Sequence, residues 1–225
     1  MTYVPMPVLR DGGRSFEDGI ARVLRWMDTF FPALRANLNS PADDAAIDAA
    51  QASCCVVFPD DLRALYRVAD GETGVLGFFF GLPFLSLSRL VDEWSAWRDV
   101  AKDVTEMDQN SDGFYTSVPP DVIAGRYTNP GWIAISHDHG GNHLGIDLAP
   151  GPRGRVGQVI NFGADEDEKF VIAPSLAAFF HWYADNLECG NYKISGLPGD
   201  EDFDFTIADP ANEHFLDAVR EMGQL

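Results

Sequence analysis

Three histidines and an aspartate fall within seven residues of this chain, in the run His137-Asp138-His139-Gly140-Gly141-Asn142-His143. Imidazoles and a carboxylate are donor types that hold transition metals, and with a metal-bound water they would make a hydrolase site. The spacing argues the other way. Two adjacent glycines put the run on a turn, and no Glu stands at helical spacing from a histidine, as in zinc peptidases. Asp and Asn favour turn positions because they bond their own backbone, so the run reads first as a polar hairpin loop. No metal and no cofactor is expected. His143 and Asp147 lie four apart, which on a strand puts both on one face, where a carboxylate can orient an imidazole. No nucleophile accompanies them: there is no Gly-x-Ser-x-Gly elbow and no cysteine in a basic setting. Gly140-Gly141 follows no strand-to-helix pattern and is not a phosphate cradle. His181 lies in a Phe-rich helical stretch and reads as a core or boundary residue. A metal-dependent hydrolase therefore remains only an alternative to a binding role.

The elements that position these residues can be read from periodicity. Ser15 and Asp18 make a capping signature before Phe16, Ile20, Val23, Leu24, Met27, Phe30, Phe31, Leu34 and Leu38, one face of a long helix. Ser40-Pro41 with Asp43 predicts a second helix over 41–53, and Pro59 a third carrying Leu62, Leu65 and Tyr66. Residues 75–87, apolar but broken by Gly77, Gly81 and Pro83, fit short strands. Ser88 opens a helix with Trp94 and Trp97, and 105–130 is a turn-rich irregular segment. From Trp132 the period becomes two: Leu144, Ile146 and Leu148 predict a half-buried strand, followed by strands at Val156–Phe162 and Phe170–Ile172. Ser175 caps a helix with Leu176, Phe179, Phe180, Tyr183 and Leu187, and Asp209-Pro210 opens a last one. This is an α+β fold with a mostly antiparallel sheet of about five or six strands flanked by helices.

Charge narrows the partners. The chain has 225 residues with 35 acidic and 16 basic side chains, a net charge of −19. A phosphate backbone is excluded as partner, because binding it requires Lys and Arg to displace counterions. No apolar run predicts a membrane span, and the N-terminus shows no signal peptide. Three cysteines, Cys54, Cys55 and Cys189, make neither a disulfide framework nor a zinc spacing, and fit a cytoplasmic protein. Acidic runs at Asp165-Glu166-Asp167-Glu168 and around Asp200–Asp204 point to a basic protein partner. The apolar anchor that affinity needs is expected in the exposed half of the 105–130 loop, at Phe114 and Tyr115.

One ordered set of motifs resembles a known family. Pro130-Gly131-Trp132 is followed by Asp138, Gly141-Asn142, Leu144 and Asp147-Leu148, then Pro150-Gly151, Gly154 and Gly157-Gln158. Upstream stand Phe58-Pro59-Asp60-Asp61-Leu62, Tyr66 and Asp70-Gly71; downstream stand Ser175–Phe180, Gly190 and Tyr192. Over 42–192 this order resembles the SUKH superfamily, which includes a yeast cell-wall assembly regulator and bacterial immunity proteins. The resemblance implies a non-enzymatic protein-binding domain, with Trp132, Asp138, Gly141, Asn142, Asp147, Gly157 and Gln158 as signature residues. Gly145 departs from it, standing where a larger apolar residue or Cys is frequent. The expected organisation is an N-terminal helical extension (1–41), a SUKH-like domain (42–192) and an acidic C-terminal tail with a final helix (193–225). The expected function is immunity, by binding and neutralising a toxin with a basic domain; the alternative is a regulatory scaffold.

Overall fold

The computed structural model describes residues 4–8, 13–74, 76–104, 114–200, 202–212 and 214–223. Val75, the 105–113 part of the irregular segment and Glu201 lie outside the described residues.

Ser15 starts α1 (Phe16–Phe30), its hydroxyl accepting the Asp18 N–H at 3.1 Å. The single helix expected to Leu38 breaks at Phe31-Pro32. Proline cannot donate to the helix and pushes the preceding residue out of helical geometry; Phe31 sits at φ −142°, and a short α2 (Pro32–Ala36) follows. Asp43 rather than Ser40 caps α3 (Asp44–Cys54), accepting the Ala46 N–H at 2.8 Å. α4 (Asp60–Val68) buries Leu62, Leu65 and Tyr66 as predicted. α5 (Leu87–Asp103) is capped by Ser86, two residues before the expected serine.

The strands expected over 75–87 do not form; isolated bridges join Phe79 to Leu82 and Phe84 to Ser136. Gly77 has φ +77°, and a Cβ there would stand 2.3 Å from the Gly81 backbone, so the chain doubles back too tightly for a strand. The loop drives Phe78, Phe79 and Phe80 into the core. Glu72 holds it, accepting the N–H groups of Gly77 and Phe78 at 3.1 and 3.0 Å.

The main sheet has the order β1-β5-β4-β3-β2, built from β1 (Thr116–Val118), β2 (Trp132–Ala134), β3 (Asn142–Asp147), β4 (Gln158–Gly163) and β5 (Glu168–Ala173). Its pairs are antiparallel except β1 with β5, giving the mostly antiparallel α+β fold that the sequence predicts. β3 is not half-buried: every residue of it is enclosed. On one face α6 (Leu176–Glu188), with α1 packed along it, lies against β4 and β5 over Leu144, Ile146, Val159, Phe170 and Ile172. On the other, Trp132, Ala134, Ile160, Phe162 and Val171 pack under Leu85, Val122 and Ile123. The described part of the irregular segment is thus a cover for the sheet, not a free loop.

The acidic tail adds a hairpin, β6 (Tyr192–Ser195) with β7 (Asp204–Ile207), and α7 (Phe215–Gly223). Asp209-Pro210 lies in a turn ahead of α7 rather than opening it. The Phe80 ring meets Tyr183, Phe205 and Phe215 with centroids at 4.7, 5.5 and 5.5 Å, and Phe31 meets Phe205 at 5.7 Å. One core therefore runs through all three expected segments. No described helix is long and apolar enough to cross a membrane.

Phe80→Ala should lower the unfolding free energy by about 3–5 kcal/mol, through lost burial plus the cavity left between α6, β7 and α7. Urea denaturation followed by near- and far-ultraviolet circular dichroism checks it. An unchanged midpoint would show that the C-terminal hairpin and helix stand outside the cooperative unit.

Candidate functional site

The β2–β3 turn carries the histidine run, and one carboxylate shapes it. Asp138 accepts the N–H groups of Gly140 and Asn142 at 2.7 and 2.8 Å and the Asn142 side-chain amide at 2.8 Å. Burial pushes this carboxyl up, but the Asn142 and Gly140 donors and His214 outweigh it and hold it below its ordinary value. His137 and His139 place their rings together, centroids 4.2 Å apart. His143 does not join them. It is 1% exposed on β3, where Nε2 accepts the Trp97 indole N–H at 2.8 Å. The proton is thereby assigned to Nδ1, which donates to the Ser136 carbonyl at 2.9 Å. Burial lowers its pKa, and with both nitrogens engaged the ring can serve neither as ligand nor as base. Among the described residues, no three His, Cys, Asp or Glu side chains are grouped to hold a metal ion.

His143 and Asp147 share a strand face as the spacing predicts, yet the ring of Phe162 fills the space over Gly145 between them. A Cβ on Gly145 would lie 2.4 Å from that ring, which accounts for glycine where a larger residue is frequent. Asp147 accepts the Ala149 N–H at 3.0 Å and the Gln158 amide at 2.8 Å, and Gln158 also donates to the Val122 carbonyl at 3.0 Å. The pair fastens the covering segment to the sheet. Burial raises Asp147 to about 6 against the pull of Gln158, Ala149 and the nearby Trp132 indole. Trp132 is core at 3% exposure, and Gly141 and Gly157 take φ +96° and +91° in turns. Trp132, Gly141, Asp147, Gly157 and Gln158 thus make packing, turn or bracing contacts within the fold.

Two clefts flank the turn. The first, about 620 Å³, lies between the turn, the 164–168 loop and α7, and is lined by Asp138, Asp165, Glu166, Asp167, Glu168 and Asp217 with His214 and Arg220. It brings the histidine run and the acidic run together. Asn142 joins them, donating to the Asp165 carboxylate at 3.2 Å and accepting the Asp165 N–H at 2.9 Å. Within the acidic run, Asp165 and Asp167 are exposed and Glu168 is half-buried. Glu166 turns inward at 3% exposure, held by Asn161 and by Arg220 at 3.2 Å; burial raises its pKa despite Arg220. The second cleft, about 440 Å³, is lined by Glu72, Ser86, Arg89, His137 and His139 among others.

Of the candidate aromatic anchors, Phe114 is 58% exposed. Tyr115 instead covers Lys169, whose Nζ lies 5.0 Å from its ring, 5.3 Å from that of Trp132 and 2.7 Å from the Glu166 carbonyl oxygen. Burial pulls the Lys169 amine down to about 8. Period-two alternation puts Lys169 on the face of Val171, but nothing local signals an enclosed lysine, and sequence reading missed it.

The model of the SMI1/KNR4 family (SUKH-1) matches residues 41–182. The chain belongs to this family, and so to the superfamily its motif order resembles. Similar proteins include the cell wall assembly regulator SMI1 of Saccharomyces cerevisiae, 33% identical over 200 residues that cover 75% of this chain and 40% of that one. The cell wall biosynthesis/cell cycle regulator smi1 of Schizosaccharomyces pombe is 34% identical over 185 residues, 77% of this chain and 36% of its own. The glucan synthesis regulatory protein of Neurospora crassa is 30% identical over 225 residues, 85% and 42% respectively. The chain thus spans well under half the length of these relatives. They are named as regulators, and toxin neutralisation finds no support among them.

Glu72 is raised by burial to about 7 against its three backbone contacts to Gly77, Phe78 and Phe84. Both raised carboxyls contribute stability that is complete below their ordinary pKa values and lost as pH rises through about 6 for Asp147 and about 7 for Glu72. Between pH 5 and pH 8 these two carboxyls lower the unfolding free energy, Glu72 by at most about 3 kcal/mol, while His143 and His137, whose pKa values burial lowers, act in the opposite direction. In urea denaturation across that range, Glu72→Gln, which mimics the protonated form, should lose less stability than wild type as pH rises. An identical pH dependence in the variant would refute the assignment.

Proposed function

We propose that this chain is a non-catalytic regulatory module that binds a protein partner, and that the acidic cleft receives a basic segment of that partner. The observation that carries this is the convergence of Asp138, Asp165, Asp167, Glu168 and Asp217 on one cleft from three separate parts of the chain. Its walls are fixed in place: Asn142 braces both turns, and Arg220 spans Glu166 and Asp217 at 3.2 and 2.6 Å. Preorganised charge of one sign raises the encounter rate with a partner of the other sign and fixes its orientation. Phe114, exposed two residues before Thr116, which pairs with Glu168, is the candidate apolar anchor. The regulatory names of the relatives favour a scaffold over an immunity protein. A cytoplasmic location goes with that reading, as do the free cysteines.

The test compares wild type with Asp165→Asn, Asp167→Asn and Glu168→Gln combined, measuring association with a partner recovered on the wild-type chain. Screening shortens the field to about 8 Å at physiological ionic strength. The variant should associate several-fold more slowly at low salt and converge with wild type at high salt. Equal rates at low salt would remove the cleft from the interface.

A further inference from the structure

On the other side of the turn the chemistry reverses sign. In a chain of net charge −19, the side chains that reach the 440 Å³ cleft without being spoken for are Arg89, His137 and His139. The one ion pair of Arg89 among the described residues is a 3.9 Å contact with Glu93, which leaves most of its guanidinium donors free. Neither His137 nor His139 has a hydrogen-bond partner among the described residues. His143 and His181, in contrast, have both ring nitrogens engaged. His139 is held at φ +64°, a conformation uncommon for a residue other than glycine, and the bonds Asp138 makes to Gly140 and Asn142 keep it there. Backbone held in such a state marks a position where the direction of a side chain matters. Glu72, the acid in the cleft, turns its carboxylate to the backbone of Gly77 and Phe78.

We propose that the cleft formed by Arg89, His137 and His139 binds a phosphate group, free or carried on a phosphorylated side chain. A guanidinium and two neighbouring imidazoles supply donors that become charge-assisted on a dianion, and three donor groups suit the several oxygens of a phosphate. The volume exceeds that of phosphate alone and leaves room for the residue that carries it. Burial, His139 and Arg89 disfavour the protonated form of His137 against the pull of Asp138, and a bound dianion would add to that pull. The negative field of the whole molecule repels anions, so retention must come from these contacts, at short range. The site goes beyond the proposed regulatory function and shares no lining residue with the acidic cleft, so either can fail alone.

The experiment follows the imidazole nitrogens of the full chain by nitrogen-15 NMR while inorganic phosphate, O-phosphoserine or serine is added. His137 and His139 should shift saturably with phosphate, with a dissociation constant on the order of 1 mM, and serine should do nothing. Arg89→Gln and His139→Asn should each weaken binding by roughly tenfold, Asn being chosen because it tolerates the left-handed backbone. Arg153→Gln, which removes an exposed basic group elsewhere, should leave binding unchanged. Saturation by O-phosphoserine as well supports a carried phosphate; saturation by inorganic phosphate alone supports a free one. No saturable shift with either probe, or equal binding in both cleft variants, overturns the proposal.

Discussion

The carboxylate of Asp138 decides which way the β2–β3 turn faces. Its three hydrogen bonds to Gly140 and Asn142 use the turn's own donors, so little else is needed to hold the loop. They also commit the neighbours. Asp138 and Asn142 line the acidic cleft, and His137 and His139 line the other. The stretch 137–142 thereby presents two faces of opposite chemical character. Asp138 is engaged by the turn and His143 by Trp97 and Ser136, so among the described residues neither is grouped with His137 and His139 to hold a metal ion.

The same logic governs the outer face of the sheet. His143, Asp147, Gln158 and Lys169 are all buried there, and an unpaired polar group in such a setting is costly. Asp147 is matched within the sheet by Gln158 and Ala149, and the other three by groups from the covering segment or α5. Trp97 of α5 donates to His143, Gln158 reaches the Val122 carbonyl, and Tyr115 lies over Lys169. These contacts specify where the cover sits, whereas Val122, Ile123 and Leu85 supply the apolar burial that keeps it there. Lys169 also donates to the Glu166 carbonyl, which ties the covered face of β5 to the acidic loop.

Much of this was legible in the sequence where one local rule decides the outcome. Ser15 and Ser175 cap their helices as read, the predicted apolar residues of α4 and α6 are buried, and strands stand where β3 and β5 were expected, although β3 is enclosed on both faces. Errors arose where a local signal had a nearby competitor. Pro32 overrode a continuous apolar face, Asp43 displaced Ser40 as cap, and Gly77 folded an apolar run into a loop that looked like strands. What could not be read was long-range pairing. β1 is three residues long and is defined by its partner β5; β6 and β7 pair across an acidic stretch whose local composition says loop. The two clefts fall in this class, because they join residues from turns far apart in sequence.

Glu166 shows why composition alone misjudged the acidic run. Four consecutive acids read as one solvated patch, but a loop that ends in a buried strand must turn some side chains inward. Glu166 is the one enclosed, and Arg220 comes from α7 to meet it. Its charge is therefore partly neutralised, and its role is to tie α7 to the loop. Asp165, Asp167 and Glu168 keep their charge on the outside, where it acts at the range set by salt. One arginine thus divides the run into an anchor and the surface proposed above to meet a partner. The helix that closes the fold is also the helix that builds the third wall of the acidic cleft.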